Sequence, residues 1–329
     1  MKILLATPLY PPDIGGPSMY AFHIEQELLE RGHTVNTVKF GSVRNFPTIL
    51  RHFLYLVKVL LSVVSAERVI CFDASSVGVP TIFLCKIFRK KCILRIGGDF
   101  LWESYVERTG EEIPLTDFYK KEKNFTFKEI LIKKMLGYVF RNVSKIAVNT
   151  PWLGGILSEA YKIPSQKIVC IENNFNPVVP SEVPKKKIFL SSSRNIKIKN
   201  KKRISKIFDK MQFSLELLTE TLPHKELQEK LREAYAIVVL SFSEVNPNLV
   251  LDGLSQGKPF LLTRYTGLPD RFKPFGILVD PFDANAIQSA ILKICDNSFY
   301  ETLRINISSF RYTHSWKEIT DEFLNLLNE

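Results

Sequence analysis

Residues 236–269 read AIVVLSFSEVNPNLVLDGLSQGKPFLLTRYTGLP and lay out a strand, a turn, a helix and a second strand. The apolar run 236–241 has the composition of a strand buried in a parallel sheet. A second such run, 259–263, follows one helix later, which is the unit from which parallel sheets are built. Glu244 falls just beyond the carboxyl end of the first strand, where open α/β sheets bind ligands. Asn246-Pro247-Asn248 reads as a turn with Asn248 as the helix N-cap, so free N–H groups and the positive dipole end lie on the side of Glu244. Asp252 comes eight positions after Glu244, about one turn into the helix, and can accept two hydrogen bonds from a vicinal diol such as a ribose. Two carboxylates flanking a helix start suit a sugar nucleotide, although Ser-x-Glu ahead of a helix is also an ordinary capping arrangement.

The same alternation extends outward through the chain. Strands are predicted at 2–6, 34–40, 68–72, 91–96, 144–148 and 167–171, with helices about 17–31, 47–64, 78–88, 127–141 and 150–161 between them. Residues 173–187 hold three prolines and three lysines without apolar periodicity and carry the linker, placed at 176–187 between a first domain, 1–175, and a smaller second one, 188–310. The second domain shows strands at 188–192, 212–217, 236–241, 259–263 and 276–279. Residues 311–329 end in an amphipathic helix with Trp316, Ile319, Phe323, Leu326 and Leu327 on one face. The fold class is α/β, two doubly wound Rossmann-like domains facing a cleft.

Three further segments carry chemistry. Thr7 to Gly16 (TPLYPPDIGG) follows the first strand and precedes a helix, and Gly15 and Gly16 let a phosphate or sugar hydroxyl approach the main chain there. His33, at the far end of that helix, reads as a cap and not as a catalyst. Arg95 to Glu103 (RIGGDFLWE) puts Asp99 at the carboxyl end of another strand, as the main catalytic candidate, with a capping role for the following helix as the plainer alternative. Ser193 to Asn200 (SRNIKIKN) follows the first strand of the second domain, and Arg194 and Lys199, five apart, form a cation pair suited to a diphosphate, with Lys197 a rival for Lys199. Nine basic residues and no acid occupy 185–203, a run that also fits a solvated face.

Composition narrows the class. The 329 residues carry 45 Lys+Arg against 34 Asp+Glu, a net charge of +11, so anionic partners are expected. The five cysteines show no C-x-x-C spacing and no histidine stands with them at ligand spacing, which argues against a disulfide framework or zinc site and for a cytoplasmic location. No charged and apolar leader precedes strand 2–6. Residues 53–64 (FLYLVKVLLSVV) fall short of the ~20 residues a bilayer requires and are expected to form a buried helix. Between Phe118 and Lys145, eight basic residues and two acids interleave with apolar ones, the pattern of a membrane-surface helix or of a core-packed helix with a charged outer face. Nucleic acid is the rival anion, but no helix-turn-helix, RNP-like or zinc-finger pattern accompanies the charge.

Taken together these segments resemble family 4 of the retaining glycosyltransferases. Glu244 and Asp252 correspond to the two acids of its E-x7-E signature, Gly257-Lys258-Pro259 to the G-x-P that follows, Gly267 to the start of the next loop, and Arg194 and Lys199 to R-x4-K. The opening loop, the G-D-x-x-W-E version of the Asp99 region and the terminal S-W-K helix extend the resemblance over nearly the whole chain. It implies a GT-B fold whose terminal helix packs back across the domain junction. It also implies metal-independent, retaining transfer of a sugar from a nucleotide donor, with no cofactor, to a glycan or lipid-linked acceptor in polysaccharide biosynthesis. Asp99 and Glu244 are then catalytic. Gly15, Gly16, Arg194, Lys199, Asn246, Asn248, Leu249, Val250 and Asp252 bind substrate. With the cysteine usage pointing to the cytoplasm, the basic 118–145 segment leads to the expectation of peripheral binding to an anionic membrane, the inner face of the plasma membrane. Departures are Asp252 for the second Glu, Ser193 and Asn200 for the glycines around Arg194 and Lys199, and only about forty residues between Lys199 and the strand before Glu244, so a strand–helix unit looks trimmed. An Asp, one methylene shorter than Glu, requires its helix to lie closer or a water to bridge. A GT-B sugar-nucleotide epimerase and a non-catalytic sugar-nucleotide-binding relative stay open.

Overall fold

A computed structural model describes residues 1–13, 16–179, 181–192, 194–218 and 224–329, with 48, 49, 217, 218 and 224 described by their backbone. The first sheet contains β1 (Lys2–Thr7), β2 (Thr34–Lys39), β3 (Arg68–Cys71), β4 (Lys91–Ile96), β5 (Lys145–Val148) and β6 (Ile168–Cys170). All are parallel in the order β2-β1-β3-β4-β5-β6. The second contains β7 (Ile188–Ser192), β8 (Ser214–Leu218), β9 (Ala236–Val239), β10 (Phe260–Thr263) and β11 (Gly276–Val279), parallel in the order β11-β10-β9-β7-β8. Both sheets are doubly wound. Strand order reverses between β1 and β3 in one and between β7 and β9 in the other, and it is at such reversals that crossovers leave on opposite faces and open a crevice.

The chain forms two compact units: Met1–Leu101 with Asn124–Asn174 and Ser315–Glu329, and Trp102–Lys123 with Phe175–His314. The terminal helix Trp316–Asn328 thus belongs with the first sheet. There Ile319, Phe323 and Leu327 join Ile3, Leu5, Ile70 and Ile93 in one core, and Arg31 and Arg68 bond to Asp321 and to the Leu327 carbonyl. Residues 102–123 belong with the second sheet although they follow the fourth strand of the first. The helix Gly16–Glu30 ends on Gly32 at φ 75°, and the His33 amide closes it by donating to the Leu28 carbonyl at 3.1 Å.

The expectation of a buried helix at 53–64 is corrected. The helix runs Thr48–Ser65 and buries only one face, with Tyr55, Val59 and Val63 inaccessible, while Phe53, Val57 and Leu61 are exposed. Apolar residues surround it almost completely, but a single sheet lies beneath it and one layer can cover only one side. The basic stretch 118–145 is likewise divided. Its helix spans Phe127–Asn142 in the first unit, started by a Thr126–Glu129 capping box, and residues up to Lys123 fold with the second.

Candidate functional site

In the second unit, the strand ends that flank the reversal bring two of the sequence candidates together. Beyond β7, a single 3-10 turn, Lys197–Lys199, is tied to the end of β9 by the Phe242 amide donating to the Ile198 carbonyl at 2.8 Å. Beyond β9, Glu244 is fixed by its own backbone, its amide donating to the Tyr265 carbonyl and its carbonyl accepting from the Gly267 amide, both at 3.0 Å. The result is a Lys199 Nζ–Glu244 Oε1 pair at 2.5 Å, with the Ser241 hydroxyl donating to the same oxygen at 2.5 Å. Both side chains are largely sheltered, 18% and 11% exposed, so their attraction is weakly screened. Burial and the Lys199 charge together push the neighbouring Lys201 below the ordinary lysine value.

Asn200, where a glycine was expected, adopts φ 55°. Asparagine tolerates this left-handed conformation better than most residues. Here its side-chain amide also donates to the Leu240 and Pro281 carbonyls at 3.2 and 2.9 Å, clamping the Lys199 turn onto the strand. Asn200→Ala is expected to lower stability by about 2–3 kcal/mol, from the backbone strain and the lost bonds to the Leu240 and Pro281 carbonyls, the second of which keeps Arg203 as a donor at 3.3 Å. Asn200→Gly relieves the strain and recovers about 1 kcal/mol. Urea midpoints of the two variants check this, and equal midpoints would remove the conformational part of the explanation.

Arg194, Lys197 and Arg203 each meet a glutamate from the 102–123 segment. Arg194 pairs with Glu103 at 3.0 Å and Arg203 with both oxygens of Glu112 at 2.9 and 2.7 Å. Lys197 donates from its amide to Glu107 at 2.8 Å and from its ammonium to the Glu107 carbonyl at 2.7 Å. Of the two rival lysines, therefore, Lys199 is the one aimed at Glu244. These pairs, with the Leu115 amide bonded to the Ser243 hydroxyl at 2.9 Å, explain why the segment folds with the second sheet. Sequence reasoning missed Glu103, Glu107 and Glu112 because nothing local links them to a basic run some ninety residues away.

The helix after Glu244 spans Asn248–Ser255, and its N-cap is Pro247, without a side-chain cap. This corrects the expectation of Asn248 as N-cap. Asn248 is the first helical residue and accepts from the Asn246 side chain at 2.8 Å. The Asn248 and Val250 amides donate to the Asn246 and Pro247 carbonyls, both at 2.9 Å. Val250 is fully buried in the core with Ile237, and Leu249 packs partly against it, so both side chains are taken up by packing and only their backbone is left for other contacts. Asp252 is half-buried on this helix. A Cβ at Gly253 would stand 2.3 Å from Ile237 Cγ1, so glycine lets the helix lie close on β9.

In the first unit, Asp99 is buried immediately before the helix Phe100–Thr109. Gly16 begins the helix Gly16–Glu30, and Gly15 lies outside the described residues. At the carboxyl edge of the same sheet, buried Arg95 donates to the Asn173 side chain at 2.5 Å and lies over the Tyr20 ring at 4.8 Å. Asn149 Nδ2 donates to the Gly97 carbonyl at 3.4 Å. The Ser18 and Tyr20 hydroxyls and Asn149 Oδ1 are buried without partners among the described residues, unused polar capacity of the kind a hydroxylated ligand satisfies. Burial raises the Tyr20 phenol above its usual value. Asp99, Gly15 and Gly16 are legible in the sequence, whereas Ser18, Tyr20, Asn149 and Asn173 are not. A lone Asn or Tyr has no local pattern that marks it as a site residue.

No protein-family model and no curated protein sequence matches the chain. Solved structures do. Sucrose-phosphate synthase from Thermosynechococcus elongatus matches at TM-score 0.69 and 14% identity, covering 99% of this chain and 98% of the other. The catalytic domain of starch synthase IV from Arabidopsis thaliana, bound to ADP and acarbose, matches at 0.67 and 9% identity, covering 99% and 98%. A glycosyltransferase from Rickettsia africae matches at 0.63 and 14% identity, covering 99% and 97%. The architecture is the one found in GT-B glycosyltransferases. At these identities the likeness is one of fold.

Proposed function

We propose that the chain is a retaining glycosyltransferase that moves a sugar from a nucleotide-sugar donor to a glycan or lipid-linked acceptor. The observation that carries the reading is the Lys199–Glu244 pair at the strand-order reversal of the second sheet, with Arg194 following the same strand as Lys199. In this reading Arg194 and Lys199 hold the donor diphosphate and neutralise the charge that develops as the nucleotide leaves. The phosphate competes with Glu103 for Arg194 and with Glu244 for Lys199. Glu244 then turns to the sugar hydroxyls, and Asp252 holds the ribose. Asp99 orients the acceptor hydroxyl or stabilises oxocarbenium-like charge, while the departing phosphate takes the acceptor's proton. Fixed cations take the part a divalent ion would otherwise have at the diphosphate, which makes the reaction metal-independent with no cofactor beyond the donor.

The test is a thermal-shift screen against UDP-, GDP-, ADP- and dTDP-sugars in the presence of EDTA. A donor at 100 times its dissociation constant is expected to stabilise by about 2.7 kcal/mol. Asp252→Ala is expected to weaken that donor by about 1–3 kcal/mol, roughly 5- to 150-fold, if a ribose hydroxyl loses its partner. Unchanged affinity in this variant would sink the ribose assignment, and stabilisation that requires manganese or magnesium would sink metal independence. The anomeric configuration of the product decides retention. Epimerised donor without transfer would favour the epimerase.

A further inference from the structure

The first unit turns an apolar, cationic face away from its sheet. Ile3, Leu5, Ile70 and Ile93 point to the side covered by helices Gly16–Glu30 and Trp316–Asn328. The other side carries three helices packed in a row, Thr48–Ser65 against Gly78–Ile87 and Gly78–Ile87 against Phe127–Asn142. On the first of these, Leu50, Phe53, Val57, Leu61 and Val64 are exposed, and their spacing of three and four residues draws one stripe along its length. Leu61 is 77% exposed. Phe83 and Ile87 on the second helix and Phe127, at 83%, with Leu131 on the third are exposed as well. Single exposed apolar residues need no explanation, but a stripe along one helix with further exposed apolar residues on the two helices packed beside it marks an interaction surface.

Charge identifies what covers it. Segments 48–65, 78–90 and 127–142 carry nine Lys and Arg and a single acid, Glu129, which is buried in its capping box. None of the nine forms an ion pair among the described residues. Lys86 and Lys133 lie over the Tyr138 and Phe125 rings at 5.8 and 5.5 Å. A second copy of the same face would bring like charge against like charge in an isologous contact. No helix among the described residues is long and apolar enough to cross a membrane, and each of these three keeps its inner face in the core. Apolar side chains at moderate depth ringed by lysines are the make-up of a surface that lies in the headgroup layer of an anionic bilayer.

We propose that the face formed by helices Thr48–Ser65, Gly78–Ile87 and Phe127–Asn142 docks the protein on anionic membranes. It does not depend on the transfer reaction, since the binding measurement reads no activity. The full chain is sedimented with vesicles of phosphatidylcholine alone and of phosphatidylcholine with phosphatidylglycerol. Binding is expected to the anionic vesicles only and to weaken steeply as salt rises from 0.1 M. Two sets of exposed substitutions separate the forces, Phe53→Ser with Leu61→Ser for insertion and Lys86→Glu, Lys133→Glu, Lys134→Glu for charge. The apolar set is expected to lower partitioning at least about tenfold, and the charge set about a hundredfold or more, at about fivefold per basic residue lost near the leaflet. Lys120→Gln with Lys121→Gln, in the segment that folds with the second sheet, is expected to leave it unchanged. Equal binding to neutral and anionic vesicles, undiminished binding by either set, or a dimer in sedimentation velocity that Leu61→Ser dissolves would each overturn the proposal. The last outcome would assign the face to a second copy.

Discussion

Alanine at Lys199 lowers kcat/KM for transfer by an expected ~10²–10³-fold, the loss typical when one preorganised charge partner of a developing anion is removed. The same ammonium compensates Glu244, 2.5 Å away and 11% exposed, so its loss leaves a sheltered carboxylate with the Ser241 hydroxyl as its remaining side-chain partner. Stability should therefore fall as well, by about 1–3 kcal/mol, less than for a fully buried pair because both groups retain some solvent. Glu244→Ala should reduce turnover comparably. The double variant Lys199→Ala, Glu244→Ala should be more stable than the sum of the single losses implies, since neither charge is then stranded. Kinetics in saturating donor and a double-mutant cycle in urea measure both parts. Full activity in Lys199→Ala would move the phosphate contact elsewhere and remove the main support for the proposed site.

Methionine at Lys258 should make the protein more stable, by about 2–3 kcal/mol at pH 7. Lys258 is 1% exposed and its ammonium has no hydrogen-bond partner among the described residues. Burial, and after it the Arg304 charge, push its pKa down from 10.5 to about 8. Below about pH 8 the folded protein carries the full cost of an unpaired buried cation. Between about pH 8 and 10.5 the unfolded chain is protonated where the folded one is neutral, so wild-type stability gains with rising pH. The advantage of Lys258→Met should thus be largest at neutral pH and vanish as pH rises through that window. Urea midpoints at pH 7 and pH 10.5 decide it. A gap that widens with pH, or no gap at neutral pH, would show that this lysine is not held as a buried cation.

Both sheets were legible in the sequence because buried parallel strands are short apolar runs and the helices between them repeat at their own period. The pattern is local, and it places Glu244, Arg194 and Asp99 at strand ends. Asn200 shows where reading by pattern stops. It is a departure from a glycine in sequence, and only its bonds to the Leu240 and Pro281 carbonyls explain why asparagine holds φ 55° there. Asn248 was misread because capping preference is statistical, while the proline before it set the start of the helix. The choice of Lys199 over Lys197 depended on Glu107, and the fold of 102–123 with the second sheet depended on three glutamates meeting cations about ninety residues away. The exposed stripe on Thr48–Ser65 was hidden for a related reason. Apolar content gives the number of faces a helix could bury, and only the neighbours supplied by the tertiary structure decide how many it does bury. The sequence by itself therefore determined the elements, their order and the charged groups at their ends, all properties of nearby residues. Which of those groups meet, and which faces remain open, was decided by contacts between residues far apart in the chain.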